Sequence, residues 1–266
     1  MTDFKDLHEQ AEELEKSLRL QSFPVGVKLL TNSDEIPKSA QRPVKDMGCH
    51  LSLCQAIALA RREGLTIAQT IEDMWCFEAA IGLGFAKPPQ RFLEGYHRYP
   101  QGASTLEAGR NWDQNLPRLE YGRYSAIVAA PLNKIDFRPD VFMVYAEPLK
   151  IRNLVRAKEW LDGINILPQI SASSACVYSI VPVIQHNDYQ VTLPCNGESS
   201  KAACDPYDMI FSASMENLPD LLRGIRDGIE KGISLPRKVD MQLEYPLNKI
   251  YLEFGKAIGM NWVKGK

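Results

Sequence analysis

Two short apolar runs, Tyr124-Ser-Ala-Ile-Val-Ala-Ala-Pro131 and Asp140-Val-Phe-Met-Val-Tyr145, constrain this chain more than any other feature. Neither alternates polar with apolar residues, so neither suits a sheet with one wet face; both suit strands buried on both sides. Such a sheet needs helices above and below it. Directly after the second run, Pro148 to Leu161 offers Leu149, Leu154, Ala157 and Leu161 as the packed face of an amphipathic helix. The same strand-loop-helix pattern returns 67 residues later over Met209 to Arg226, laying Val144 on Phe211, Ala146 on Ala213, Leu154 on Leu221 and Arg156 on Arg223. The expected architecture is α/β, or α+β, with a mixed sheet covered by helices and two similar β-α modules.

The flanking segments fit that frame. Phe4, Leu7, Ala11, Leu14 and Leu18 recur at helical spacing. Val25 to Leu30, after Pro24, reads as a strand with Val25, Val27 and Leu29 on one face. Residues 32–46, with Pro37 and Pro43, read as loop. Leu51 to Arg62 suits a helix stopped by Gly64, with two arginines at its negative end, and a second helical run is expected after Thr66. A helix over Ala175 to Ile184, a strand over Tyr189 to Leu193 and a turn-rich stretch from Pro194 to Ser200 follow. No low-complexity linker interrupts the chain, so one domain over 1–266 is expected, with a subdivision near residue 120 as the alternative.

A net charge of −2, with 45% apolar and 24% charged residues, describes a surface with no excess of positive charge for a nucleic acid. No apolar stretch approaches the roughly 18 residues needed to span a bilayer, and the first ten residues are too charged for a signal peptide. The expectation is a cytoplasmic protein without a nucleic-acid or membrane partner. Its oligomeric state stays open.

In a reducing compartment, cysteines serve metal or redox chemistry more than stapling. The six here, Cys49, Cys54, Cys76, Cys176, Cys195 and Cys204, contain no Cys-x-x-Cys pair, which removes the ferredoxin run, the zinc ribbon and the thioredoxin motif. Whatever they bind is assembled by folding. Cys54 falls in the first turn of its helix, where the helix dipole favours a thiolate. Cys76 precedes a segment of alanines and glycines that leaves room for a cofactor or, equally, packs a buried inert thiol. Cys176 opens a helix and Cys195 lies in a Gly-containing loop. Four thiolates from such separate segments suit an iron-sulfur cluster, while zinc usually takes two close pairs.

Local alternatives stay open. Cys49-His50 with Cys54 offers half of a zinc site, and Cys204 is either a thiol activated by Lys201 or a neutral loop cysteine. The chain lacks a G-x-S-x-G elbow, a Walker loop, a G-x-G-x-x-G turn after a strand and an H-E-x-x-H helix. Glu78, two residues after Cys76, is a candidate proton donor. His97 and Arg110, in an aromatic and basic segment, are candidates for contact with an anionic substrate, or belong to a surface loop packed by its own tyrosines.

Several of these segments together resemble one family. Pro24-Val-Gly-Val-Lys28, Cys54 followed by Ala58, Ala60 and Gly64, Cys76 followed by Ile81-Gly-Leu-Gly84, Ala130-Pro-Leu132, Pro139-Asp-Val-Phe142, Cys176 and Cys195-Asn-Gly197 resemble the DUF169 family of bacterial and archaeal proteins, over about residues 10–260. The resemblance implies a cytosolic protein of the kind found mostly in anaerobes, with an iron-sulfur site whose ligands match Cys54, Cys76, Cys176 and Cys195. Where the family often reads Cys-x-Gly-Ser-Arg, this chain has Cys195-Asn-Gly-Glu-Ser-Ser, so any anion-binding role of that arginine is not carried over. The expectation is a [4Fe-4S]-type cluster in an oxygen-sensitive redox or Lewis-acid enzyme, served by a small-molecule substrate or a redox partner protein. The alternatives are a cluster carrier or sensor without turnover, and a zinc- or thiol-dependent enzyme using Cys49 or Cys204.

Overall fold

The computed structural model describes residues 4–232 and 247–260. Six strands, β1 (Val25–Leu30), β2 (Ile67–Gln69), β3 (Ala126–Pro131), β4 (Val141–Ala146), β5 (Tyr189–Thr192) and β6 (Met209–Ser214), form one sheet in the order β2-β3-β1-β4-β6-β5. All five strand pairings are antiparallel. Isolated parallel bridges at the margin join Gln41 to Ile67 and Leu51 to Met74. Strands β3 and β4 are buried at every position, as their unbroken apolar sequence requires. Successive side chains go to opposite cores: Val141, Met143 and Tyr145 to one, Phe142, Val144 and Ala146 to the other.

The described helices are α1 (Lys5–Leu18), α2 (Pro43–Met47), α3 (Leu53–Ala58), α4 (Phe77–Gly82), α5 (Gln90–Leu93), α6 (Leu106–Gln114), α7 (Pro148–Asp162), α8 (Ala175–His186), α9 (Asn196–Lys201), α10 (Leu218–Glu230) and α11 (Lys249–Ala257). Leu14, Leu154 and Leu222 bring α1, α7 and α10 onto one face of the sheet. Ile57, Ile81, Val177 and Ile180 bring α3, α4 and α8 onto the other. That second face carries the cysteines. The chain divides into two units, 1–235 and 236–266, with residue 120 inside the first. The first holds the whole sheet. The second contains α11, capped by the Asn248 side chain on the Tyr251 amide.

Strand β4 with α7, and β6 with α10, are the two β-α modules anticipated from the 67-residue offset. In the β4/β6 ladder Val144 lies opposite Phe211, the same pair that the offset superposes. Where α7 crosses α10, a Cβ at Gly224 would overlap the backbone of Ala157, again 67 residues away. The Trp160 indole donates to Asp227 at 3.0 Å with the same separation. The modules are therefore related by a local two-fold axis through both layers. Gly224→Ala is expected to destabilise the protein by about 1–3 kcal/mol, because the helices must separate. This should outweigh the roughly 1 kcal/mol by which alanine is the better helix former, and urea denaturation measures the difference.

Three local expectations are corrected. After Thr66 the chain forms β2 rather than a helix, because Ile67 and Ala68 are buried in pairing with Ala129 and Val128. The stretch after Pro194 contains α9, although 32–46 is only partly loop and includes α2. In α7 Leu149 is 42% exposed, and Ile151 packs in the core with Leu154 and Ala157. Glu147 and Pro148 set the helix start, which points Leu149 outward.

Candidate metal centre

Each of four cysteines sits at the start of a helix on the same side of the sheet. Ser52 opens α3 with a reciprocal cap: its hydroxyl accepts from the Gln55 amide, and the Gln55 side chain accepts from the Ser52 amide at 2.9 Å. This fixes Cys54, whose Sγ lies 3.1 Å from Ser52 Oγ. Cys76 precedes α4, its carbonyl accepting from the Ala80 amide. Cys176 is the second residue of α8 and is buried. Cys195 precedes α9, its carbonyl accepting from the Ser199 amide. Arg61, just beyond α3, donates to the carbonyls of Ala202 and Ala203 and so ties α3 to the end of α9.

The four thiols converge. A thiolate at Cys54, Cys76 or Cys195 would push the Cys176 thiol still higher than burial already does. Cys54 likewise responds to Cys195 and Cys76. A Cβ at Gly197 would lie 3.6 Å from Cys195 Sγ and 3.8 Å from Cys54 Sγ, so this glycine leaves a cradle between two sulfurs. Burial raises the Cys54 thiol to about 12, with the Ser52 hydrogen bond opposing it. Helix-start placement alone therefore does not make Cys54 a thiolate, as had been expected: desolvation outweighs it. The Cys76 thiol is also raised, chiefly by burial.

Glu198, on the first turn of α9, lies close enough for its charge to act on Cys54 and Cys176. It is 1% exposed, and Tyr145 on β4 donates to its Oε1 at 2.8 Å. Its Oε2 is buried without a hydrogen-bond partner. Burial raises the Glu198 carboxyl to about 7, against the lowering influence of the Tyr145 hydrogen bond and of Arg61. Arg61 lies over the Tyr145 ring at 4.5 Å. Sequence inspection passed over these three residues. The available signal was the spacing Cys195-x-x-Glu198, which shares a helix face, but the segment read as a turn.

A second polar layer braces the cysteine helices. Arg98 donates to Glu78 Oε1, to Ser173 Oγ at 2.7 Å and to Asp113 Oδ1 at 3.1 Å, and lies over the Trp112 ring. Glu78 also accepts from Ser174 at 2.8 Å. One carboxylate thus joins the turn after Cys76 to the residues before Cys176. His97 Nδ1 stands 3.1 Å from Asp113 Oδ1, its ring packed by Phe77 and Phe92. Glu78 and His97 accordingly belong to one network. Its bonds run through Arg98 rather than Arg110, which is exposed on α6.

Cys49 and His50 are exposed while Cys54 is buried, so the three do not share an environment. Cys204 is pushed to about 12 by burial first, then by Glu198 and Asp208, which removes the expectation of a lysine-activated thiol. Among the described residues, no group of three or more His, Cys, Asp or Glu side chains is arranged around a single metal ion. An iron-sulfur cluster makes a different demand, since each thiolate binds its own iron and sulfides fill the space between. Soft sulfur donors, the Gly197 cradle and the unpartnered Glu198 oxygen fit such a group.

Known proteins resemble this chain along most of its length. A protein of Methanocaldococcus jannaschii described as "Uncharacterized protein MJ0308" is 28% identical over 226 residues, covering 84% of this chain and 95% of that protein. No solved structure matches. The family described as "Uncharacterised ArCR" matches residues 13–224, a stretch that includes the four converging cysteines, Tyr145 and Glu198. On that match the chain belongs to the DUF169 family.

Proposed function

We propose that this chain is an iron-sulfur protein whose [4Fe-4S]-type cluster is held by Cys54, Cys76, Cys176 and Cys195, acting as a redox or Lewis-acid enzyme on a small molecule. The observation that carries the reading is that four sequence-distant cysteines, each at a helix start, lie on one side of the sheet, with the Cys54 and Cys195 sulfurs both beside the Gly197 cradle. Burial raises the Cys54, Cys76 and Cys176 thiols, and a cationic centre makes thiolates favourable there. When bound, a cluster with four protein ligands supplies electron transfer, and one with an open iron supplies a Lewis acid.

The protein's own groups have definable tasks. Glu198 can hold or release a proton at Oε2 near neutral pH, while Tyr145 fixes its other oxygen. Arg61 supplies fixed positive charge beside that carboxyl. Glu78, clamped by Arg98 and Ser174, positions the two cysteine-bearing helix starts.

Protein purified without oxygen is expected to contain about four irons and four acid-labile sulfides per chain, with broad absorption near 400 nm. Cys76→Ala and Cys176→Ala should each remove most of both, whereas Cys49→Ala should leave them unchanged. Zinc, absence of metal, or indifference of iron content to Cys76 and Cys176 would overturn the reading. Spectral change on adding a reductant or substrate separates an enzyme from a carrier, which would instead pass its iron to an acceptor protein.

A further inference from the structure

Two segments singled out in the sequence, Pro24-Val-Gly-Val-Lys28 and Pro139-Asp-Val-Phe142, carry no cysteine. They meet at a cleft of about 450 Å³ where the start of β4, the end of β6 and the end of α8 come together. This is the size of a small-molecule site. Lys28 Nζ donates to Asp140 Oδ1 at 2.8 Å, and Asp140 Oδ2 accepts from the Leu29 amide at 2.8 Å, so these two charges neutralise each other. Two more charged residues line the same cleft. Arg138 is exposed, and its guanidinium has neither an ion pair nor a hydrogen bond among the described residues. Glu216 is also exposed and accepts a single bond, from Asn187 Nδ2 to its Oε2 at 3.3 Å. One cation and one carboxylate oxygen are therefore left uncommitted.

Ser214 adds an independent observation. It is 6% exposed and lines the cleft, yet its hydroxyl has no hydrogen-bond partner among the described residues. A hydroxyl in that position is satisfied by a polar group that enters the cleft. Val183 and Ile184 on α8, with Met215 after β6, supply an apolar part of the lining. Charge then decides the class of ligand. A simple anion drawn to Arg138 meets Glu216, and a simple cation drawn to Glu216 meets Arg138. A molecule that carries both signs gives each side chain an ionised partner.

We propose that this cleft binds a zwitterionic α-amino acid with an apolar side chain. Its carboxylate pairs with Arg138, its ammonium with Glu216, and its side chain lies against Val183, Ile184 and Met215. The site stands whether or not the cysteines hold a cluster.

Isothermal titration of the full chain with L-leucine, L-methionine, 4-methylpentanoate and 3-methylbutylamine tests it, since the last two keep the leucine side chain with only one of the two charges. At least one amino acid should bind about tenfold or more tightly than either single-charge analogue. Arg138→Gln should lower its affinity to that of the amine, and Glu216→Gln to that of the acid. Both residues are exposed, so thermal unfolding of each variant should match the wild type, and a folding defect would not hide the answer. Similar or tighter binding of either analogue, binding indifferent to either substitution, or no binding of any probe would each overturn the proposal.

Discussion

Arg98→Ala is expected to lower the unfolding free energy of the metal-free protein by about 3–5 kcal/mol, the range for removing one partner of a buried charge set. The Arg98 side chain is 12% exposed, Asp113 is fully buried and Glu78 is 18% exposed, so both carboxylates depend on this guanidinium rather than on water. Deleting it leaves Asp113 Oδ2 without a partner, as before, and leaves Oδ1 with His97 Nδ1 alone. Two comparisons distinguish charge from packing. Arg98→Lys keeps the charge but cannot bridge Glu78, Ser173 and Asp113 together, and should recover only part of the loss. Arg98→Ala combined with Glu78→Gln and Asp113→Asn should be more stable than Arg98→Ala alone, because no uncompensated carboxylate remains. Urea denaturation followed by circular dichroism reads all three; a loss under about 1 kcal/mol for Arg98→Ala would show that water takes over its role.

Glu198→Gln is expected to change the pH dependence of stability more than its value in acid. Burial raises this carboxyl from 4.5 to about 7, so folding favours its protonated form. Its contribution is fully present below the unfolded value and is lost as pH climbs through the folded one. The wild-type, metal-free protein should therefore lose about 3 kcal/mol between pH 4.5 and 7 on account of Glu198. The glutamine variant, which keeps a Tyr145 acceptor and cannot ionise, should not show this decline. Parallel slopes for both proteins over that window would mean that Arg61 holds Glu198 ionised throughout.

The parts of the fold that could be read from residues alone are those where burial leaves a periodic mark. Strands β3 and β4 are unbroken apolar runs because both faces are covered, and α1 and α10 show their packed sides at helical spacing. Strand direction leaves no such mark, so the antiparallel ladder could not be told from a mixed one. Strand β2 escaped because three residues carry no period, and its buried Gln69 donates to the distant Leu51 carbonyl at 2.8 Å. Helix α9 escaped because Asn-Gly-Glu-Ser-Ser is poor in helix formers; end bonds such as Ala202 N to Glu198 O hold it. The cysteines were conspicuous by residue type. Glu198, Tyr145 and Arg61 were not, since their meeting depends on contacts between segments 53 to 142 residues apart.

The local two-fold between the β4-α7 and β6-α10 modules bears on how the molecule can assemble itself. A peptide carrying only one module would leave a long strand edge unpaired and a helix flank uncovered, and could satisfy both only by meeting a second copy of itself. Joining the two copies in one chain replaces that bimolecular encounter by an intramolecular one, with an effective concentration in the millimolar range or above. Tethering also frees the copies to diverge at the axis. Phe211 opposite Val144, and Gly224 against Ala157, are unlike pairs on the axis, where a symmetric dimer would have to place the same residue twice. Separately expressed 1–163 and 164–232 fragments, which divide the chain between the two modules, should accordingly fold only when mixed.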